Sequence, residues 1–336
     1  MVSSPAVFRA PDLMDTSDPT DPSDRRLAPA APPGYTPAMA SALFGEDFLR
    51  RLEKLRLALV RSAGSRAEGL RLAGARGGTG EFREHRNYAA GDEPRYIDWN
   101  LYGRLERLFL KEFTLEHEGR AAVCLDCSAS MGAGPSGRAK FDFARRLAAA
   151  VAYIGLAGGD RVGALAFGAG EARQLALRAG PTGFYELLDF LERLEPSGAS
   201  GLRPAAERAA MAVSGGGRGV VVWISDLWMG APDWPMLAPP SGRALDVVFA
   251  RVLSPDEVAP RAEGALVLVD SETGERLRID GREAVARYEA AAAEHAGALA
   301  AFAARHRIRL AGATSDQPFE QAALELLSRS RLLQRT

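Results

Sequence analysis

From Gly119 onward the chain alternates between two hydrophobic rhythms. Ala121 to Asp126 (AAVCLD), Arg161 to Gly168 (RVGALAFG), Gly219 to Asp226 (GVVVWISD) and Ala244 to Leu253 (ALDVVFARVL) are short, nearly continuous apolar runs. That is the pattern of strands covered on both faces. Between them apolar positions recur at three- and four-residue steps. Phe143, Leu147, Ala150 and Ile154 share one face of a helix predicted from Lys140 to Leu156, and Phe184 to Leu194 and Leu202 to Val213 also read as helical. Arg173 to Arg178 reads as a neighbouring hairpin strand. Ala265 to Ile279 reads as a hairpin turning at Glu272-Thr273-Gly274. A long Ala-rich helix (Arg282 to His306), a strand (Arg307 to Ala313) and a helix (Phe319 to Leu327) complete the pattern. Apolar strands separated by helices predict an α/β domain over residues 119–330, a doubly wound, mostly parallel sheet with helices on both faces.

The pattern before Gly119 differs. Phe44, Phe48, Leu52, Leu55 and Leu59 mark an amphipathic helix over Phe44 to Val60. Its polar face mixes Glu46, Asp47 and Glu53 with Arg50, Arg51 and Lys54. A membrane-surface helix would be basic there, so docking onto the domain's own core is expected. Arg76 to Phe113 carries turn signals at Gly77-Gly78 and Gly91-Asp92, with short apolar runs between. Short strands or extended arms are expected, making 41–118 an N-terminal helix and arm. Arg83, His85, Arg86 and Arg95 form either the solvated face of a hairpin, the preferred reading, or an anion site. Residues 1–40 are rich in Pro, Ser, Asp and Ala, which predicts a disordered tail, with docking through Tyr35 the less favoured alternative.

Composition narrows the function. With 336 residues, 47% hydrophobic and 25% charged, the chain can bury a substantial core. A formal net charge of −1 gives no global field for nucleic acid. No apolar run approaches the roughly 18–20 residues that span a bilayer, and the N-terminus lacks the pattern of a signal peptide. A cytoplasmic protein with no integral membrane segment is expected.

The densest chemistry lies in VCLDCSAS, Val123 to Ser130. Cys124 and Cys127, the two cysteines of the chain, have C-x-x-C spacing. A structural zinc needs about four ligands, and His85, His117, His295 and His306 are scattered without ligand spacing. A redox pair opens a helix after a strand, whereas Cys124 falls inside one. It is expected to be core filler. The oxygens are better placed. Asp126 ends an apolar strand, Ser128 and Ser130 follow at steps of two, and Asp226 ends a second strand. Ser200, in SGASGL before a helix, offers a further hydroxyl. In open parallel sheets ligands gather at the carboxyl ends of strands, and hard divalent ions take oxygen ligands.

The set Asp126-x-Ser128-x-Ser130, Ser200 and Asp226 resembles the metal-ion-dependent adhesion site of von Willebrand factor type A domains. The block GEFREHRNYAAGDEPRYIDWNLYGRLERLFLKEF running into VCLDCSASM resembles a bacterial family of domains of unknown function, number fifty-eight in its series. That family is similar to von Willebrand type A proteins and is typically encoded beside MoxR-type AAA+ ATPases. The likeness covers Arg66 to Leu327. It implies a von Willebrand type A-like fold and an Mg²⁺ or Mn²⁺ site. Ser128 and Ser130 would ligate through their hydroxyls, and Asp126 and Asp226 directly or through water. Ser200 stands where the type A pattern has Thr, keeping the hydroxyl without the methyl that restricts its rotamer. One coordination position would stay open for an Asp or Glu of a partner. The competing reading is a metal-free loop whose Asp and Ser cap the elements that follow.

Rival chemistries leave gaps. A haloacid-dehalogenase-type phosphatase with Asp126 as nucleophile has a second Asp where this chain has Ser128. It also needs a downstream lysine, and there is none after Lys140. Gly132 to Ala139 has P-loop glycine spacing, but Arg138 and Ala139 replace Lys and Ser/Thr. The expectation is a non-enzymatic protein-interaction module acting with a MoxR-type AAA+ ATPase and a client protein. A metal-dependent hydrolase or phosphatase using Asp126 and Asp226 is the alternative.

Overall fold

A computed structural model of the chain describes residues 43–55, 81–88, 94, 97–114, 119–168, 172–198, 202–214, 219–238, 245–269 and 275–329. Residues 1–40, Leu59, Arg95 and Ser200 lie outside them, as do the side chains of Arg83, His85 and Arg86.

The first helix, α1 (46–55), is the amphipathic segment expected there. Phe44, Phe48, Leu52 and Leu55 are buried in the main hydrophobic core, so this helix docks on the domain that follows in sequence. Strands β1 (Glu81–Asn87) and β2 (Phe109–Thr114) form an antiparallel pair, as the arm predicted. Between them the expectation of extended chain fails, because Trp99–Leu105 is a helix, α2. The Asp98 carboxylate caps it by accepting from the N–H groups of Asn100 and Leu101 at 3.0 and 3.1 Å. An Asp directly before WNLYGRL is an N-cap signal.

The central sheet follows. Its first strand β3 (Arg120–Cys127) is joined by a short 3-10 turn, Ala129–Gly132, to helix α3 (Gly137–Ala157). Then come β4 (Arg161–Gly168), β5 (Arg173–Arg178), α4 (Gly180–Glu192), α5 (Leu202–Ala212) and β6 (Gly219–Ser225). Two short helices, α6 (Trp234–Leu237) and α7 (Pro255–Val258), flank β7 (Leu245–Leu253). Strands β8 (Ala265–Val269) and β9 (Arg276–Asp280) pair as the expected hairpin, and α8 (Gly281–Arg305), β10 (Arg309–Thr314) and α9 (Phe319–Arg329) end the domain.

The six-stranded sheet runs β10-β7-β6-β3-β4-β5. Every neighbouring pair is parallel except β4–β5, where the edge strand turns back. The doubly wound, mostly parallel architecture is therefore the expected one. Side-chain alternation divides the core into two layers. Val123, Leu125, Val220, Val222 and Ile224 face a layer shared with α1, α3, α4 and α9. Ala122, Cys124, Val221, Trp223 and Phe249 face a second layer shared with α5, α6 and the Leu299 and Ala303 end of α8.

Glycines set the entry into α3. A Cβ on Gly137 would lie 2.1 Å from the Gly132 carbonyl oxygen, closer than any real contact. The glycine spacing that resembled a P-loop is thus explained by backbone packing of the 3-10 turn against the helix start.

Because Leu52 is fully buried, Leu52→Ala should cost about 2–5 kcal/mol. Chemical denaturation should show one shifted transition. A separate early transition would mean that α1 is not part of the cooperative core.

Candidate functional site

The carboxyl ends of β3 and β6 lie side by side, since these strands are paired in parallel register through Leu125 and Ile224. Asp126 and Asp226 therefore come from adjacent strands, and both are about 1% exposed. The structure brings together four of the five residues singled out in sequence. Asp126 lies at the end of β3, Ser128 and Ser130 follow in the loop after it, and Asp226 stands beside them. Ser200, the fifth, lies outside the described residues. The nearby connector is held to the loop: Ala129 donates to the Gly198 carbonyl and Ser197 to the Cys127 carbonyl, each at 2.8 Å.

Asp126 is held by neutral donors. The Ser128 N–H donates to Oδ1 at 2.8 Å and the Ser225 hydroxyl to Oδ2 at 2.6 Å. The Ser128 and Ser130 hydroxyls lie 3.0 Å apart. Burial, then the charge of Asp226, pushes the Asp126 carboxyl up to about 7, with its hydrogen bonds opposing the rise.

Asp226 is held by a cation. Lys140, from the first turn of α3, is completely buried, and its ammonium lies 3.1 Å from Asp226 Oδ2 and 2.7 Å from Glu257 Oε1. Oδ1 of Asp226 accepts from the Trp228 N–H at 3.2 Å, and the Arg251 Nε–H donates to the Asp226 carbonyl at 3.1 Å. Glu257 closes a capping box at α7, where its Oε2 accepts from the Ser254 N–H at 2.6 Å. Leu227, buried and bulky, adopts a left-handed φ of 57°, a strained conformation for such a residue. Its N–H donates to the Ser225 hydroxyl at 2.9 Å and its carbonyl lies 2.7 Å from His295 Nε2.

The donor set fits a hard divalent ion on the Asp126 side. A carboxyl pushed up by burial, and then by a second carboxylate, is relieved by added positive charge, and two hydroxyls adjoin it. Among the described residues no group of three or more His, Cys, Asp or Glu is placed to hold a metal, so any ion there depends on the serine oxygens. The cysteines are excluded from metal and redox chemistry by their setting. Cys124 is fully buried in the second core layer and its thiol is pushed far up, while Cys127, the last residue of β3, is pushed up to about 12.

A model of the family described as "Protein of unknown function DUF58" matches residues 84–298. The chain belongs to that family. Uncharacterized proteins of Mycobacterium tuberculosis and Mycobacterium bovis are 27% identical to this DUF58 chain over 198 residues, covering 57% of it and 60% of each relative. The chain thus spans about 60% of the length of these curated relatives. The sheet is mostly parallel, with a single antiparallel edge strand. Solved structures of loosely similar shape include an aerotolerance-related membrane protein from Bacteroides fragilis, at 19% identity and TM-score 0.41 over 62% of this chain and 97% of that one. A von Willebrand factor type A protein from Catenulispora acidiphila has 15% identity and TM-score 0.33 over 43% of this chain and 35% of that one.

Sequence reasoning missed Lys140, Ser225 and Glu257 in this DUF58 site. It also set nucleophilic phosphoryl transfer aside for want of a lysine after Lys140, and that ground does not hold, since Lys140 itself reaches Asp226. Both Asp126 oxygens accept hydrogen bonds inside the protein. Ser225→Ala would leave Asp126 Oδ2 and the Leu227 N–H unpaired, at a cost of about 1–3 kcal/mol. Equilibrium denaturation checks this, and a neutral variant would show that the hydroxyl is dispensable.

Proposed function

We propose that this DUF58 protein is a non-enzymatic protein-interaction module whose site, at the carboxyl edge of the sheet, works through a divalent cation, Mg²⁺ or Mn²⁺. The observation that carries the reading is the juxtaposition of Asp126 with the paired Ser128 and Ser130 hydroxyls, beside a second buried carboxylate on the adjacent strand. Asp126, Ser128 and Ser130 would hold the ion, with Asp226 contributing its charge and Ser200 a further hydroxyl. When bound, the ion supplies electrostatic attraction for an Asp or Glu of a partner, without bond making or breaking. The residues around it fix geometry: Ser225 orients Asp126, and Lys140, Arg251 and His295 hold the Asp226 loop.

The partner in this reading is a MoxR-type AAA+ ATPase, with a client protein as the object of assembly or maturation, in the cytoplasm. The family resemblance supports that choice. No helix among the described residues is long and apolar enough to cross a membrane.

Thermal unfolding under Mg²⁺ or Mn²⁺ titration tests the ion. At about 100 times Kd, wild type should gain about 2.7 kcal/mol, and Asp126→Ala and Ser130→Ala should gain nothing. A wild type indifferent to both ions would remove the cation from the reading. Pull-down of the cognate MoxR-type ATPase should be lost in EDTA and restored by Mg²⁺. Capture unaffected by EDTA would keep the partner and discard the ion as mediator.

A further inference from the structure

The two carboxylates at the strand ends are neutralised differently. Asp226 has an ammonium at 3.1 Å that it shares with Glu257, whereas Asp126 is held among the described residues by neutral donors, the Ser128 N–H and the Ser128 and Ser225 hydroxyls. Lys140 cannot be a solvated surface lysine that swings in by chance, because its side chain is fully buried. Its position is also fixed from three sides. The stem leaves the first turn of α3, Asp226 follows β6, and Glu257 sits in α7 with its second oxygen on the Ser254 N–H at 2.6 Å. Both aspartates have both oxygens hydrogen-bonded, and what sets Asp226 apart is the ammonium on its Oδ2.

We propose that Lys140 is a resident cation of the site, holding Asp226 out of direct coordination, so that a divalent ion is confined to Asp126, Ser128 and Ser130 and is bound weakly. A monovalent charge supplied by the protein thereby takes over half of the task that a divalent ion would perform alone. The lysine repels an incoming divalent ion and occupies an oxygen that the ion would otherwise use. Weak binding keeps engagement dependent on the partner's carboxylate, which completes the coordination. This inference deepens the metal-site reading above and rests on it.

Mn²⁺ titration of the full chain, read by loss of the free-ion electron paramagnetic resonance signal, tests it in wild type, Lys140→Met and Asp126→Ala. Lys140→Met should bind Mn²⁺ at least ~10-fold more tightly than wild type, because Asp226 is released as a ligand and a repelling charge is gone. Asp126→Ala should not bind. If wild type binds and Lys140→Met binds equally or less well, Lys140 is not the competing cation, and the metal reading survives alone. If wild type does not bind but Lys140→Met does, the lysine has displaced the ion altogether, and both the metal reading and the weak-binding proposal are overturned. If neither binds, both are overturned. Should Lys140→Met not fold without ions, Lys140→Gln carries the same comparison. Should neither variant fold, recovery of helical circular dichroism on adding Mn²⁺ sustains the proposal and its absence overturns it.

Discussion

A sheet covered on both faces restricts where charge can be placed. Strands β3 and β6 are buried along almost their whole length, with apolar side chains alternating between the two core layers. Burying a charge within either layer would cost several kcal/mol without a partner, so polar groups collect where the strands end. Nine polar or charged residues are buried among the described residues, and six of them lie at this edge: Asp126, Ser128, Lys140, Ser225, Asp226 and Ser254. The parallel pairing of β3 with β6 then brings the two aspartates together without any further device.

Once two carboxylates are buried side by side, the rest of the edge follows as compensation. Lys140 answers Asp226 and is itself balanced by Glu257, which the capping box of α7 holds in place. Arg251 bonds the Asp226 carbonyl and lies 5.2 Å over the Trp228 ring, and that ring stacks near His295 at 4.8 Å. The left-handed Leu227 costs of order 1–3 kcal/mol, and it persists because its N–H and carbonyl are both held. A loop pinned from so many directions keeps its carboxylate in one place. That rigidity suits a site that must be formed before a ligand arrives.

Much of this frame was legible because buried strands have an unambiguous pattern. The strands beginning at Arg161, Arg173 and Gly219 fall within a residue of their expected bounds, and Asp126 and Asp226 stood out as acids closing apolar runs. Lys140 did not stand out. One turn into a helix, after a Gly- and Ser-rich loop, a lysine reads as solvated, and only the packing of β6 and α7 against α3 shows what it meets. Ser225 was hidden next to a more conspicuous acid. Glu257 could have been suspected, since Ser254-Pro-Asp-Glu257 is a capping-box sequence, but its second role depends on Lys140 approaching from 117 positions away. Trp99–Leu105 was misread because short apolar runs between turn signals suggested extended chain, although Asp98 signals a helix start.

The same compensation bears on what chemistry the edge can support. Nucleophilic transfer requires a carboxylate oxygen free to attack and a cation free to follow charge as it develops. Here Asp126 gives one oxygen to Ser128 and the other to Ser225, and the Lys140 ammonium is already divided between Asp226 and Glu257. Moving any of these groups toward a substrate would strand a buried charge elsewhere, which is costly in a dry setting. The Ser128 and Ser130 hydroxyls are different, since they face each other and Ser130 is only partly buried. The Ser130 hydroxyl can turn toward a cation without unpairing a charge, while the Ser128 hydroxyl also lies against Asp126. In the function proposed above, the edge holds charge against a partner, and that capacity belongs to the β3 loop rather than to Asp226.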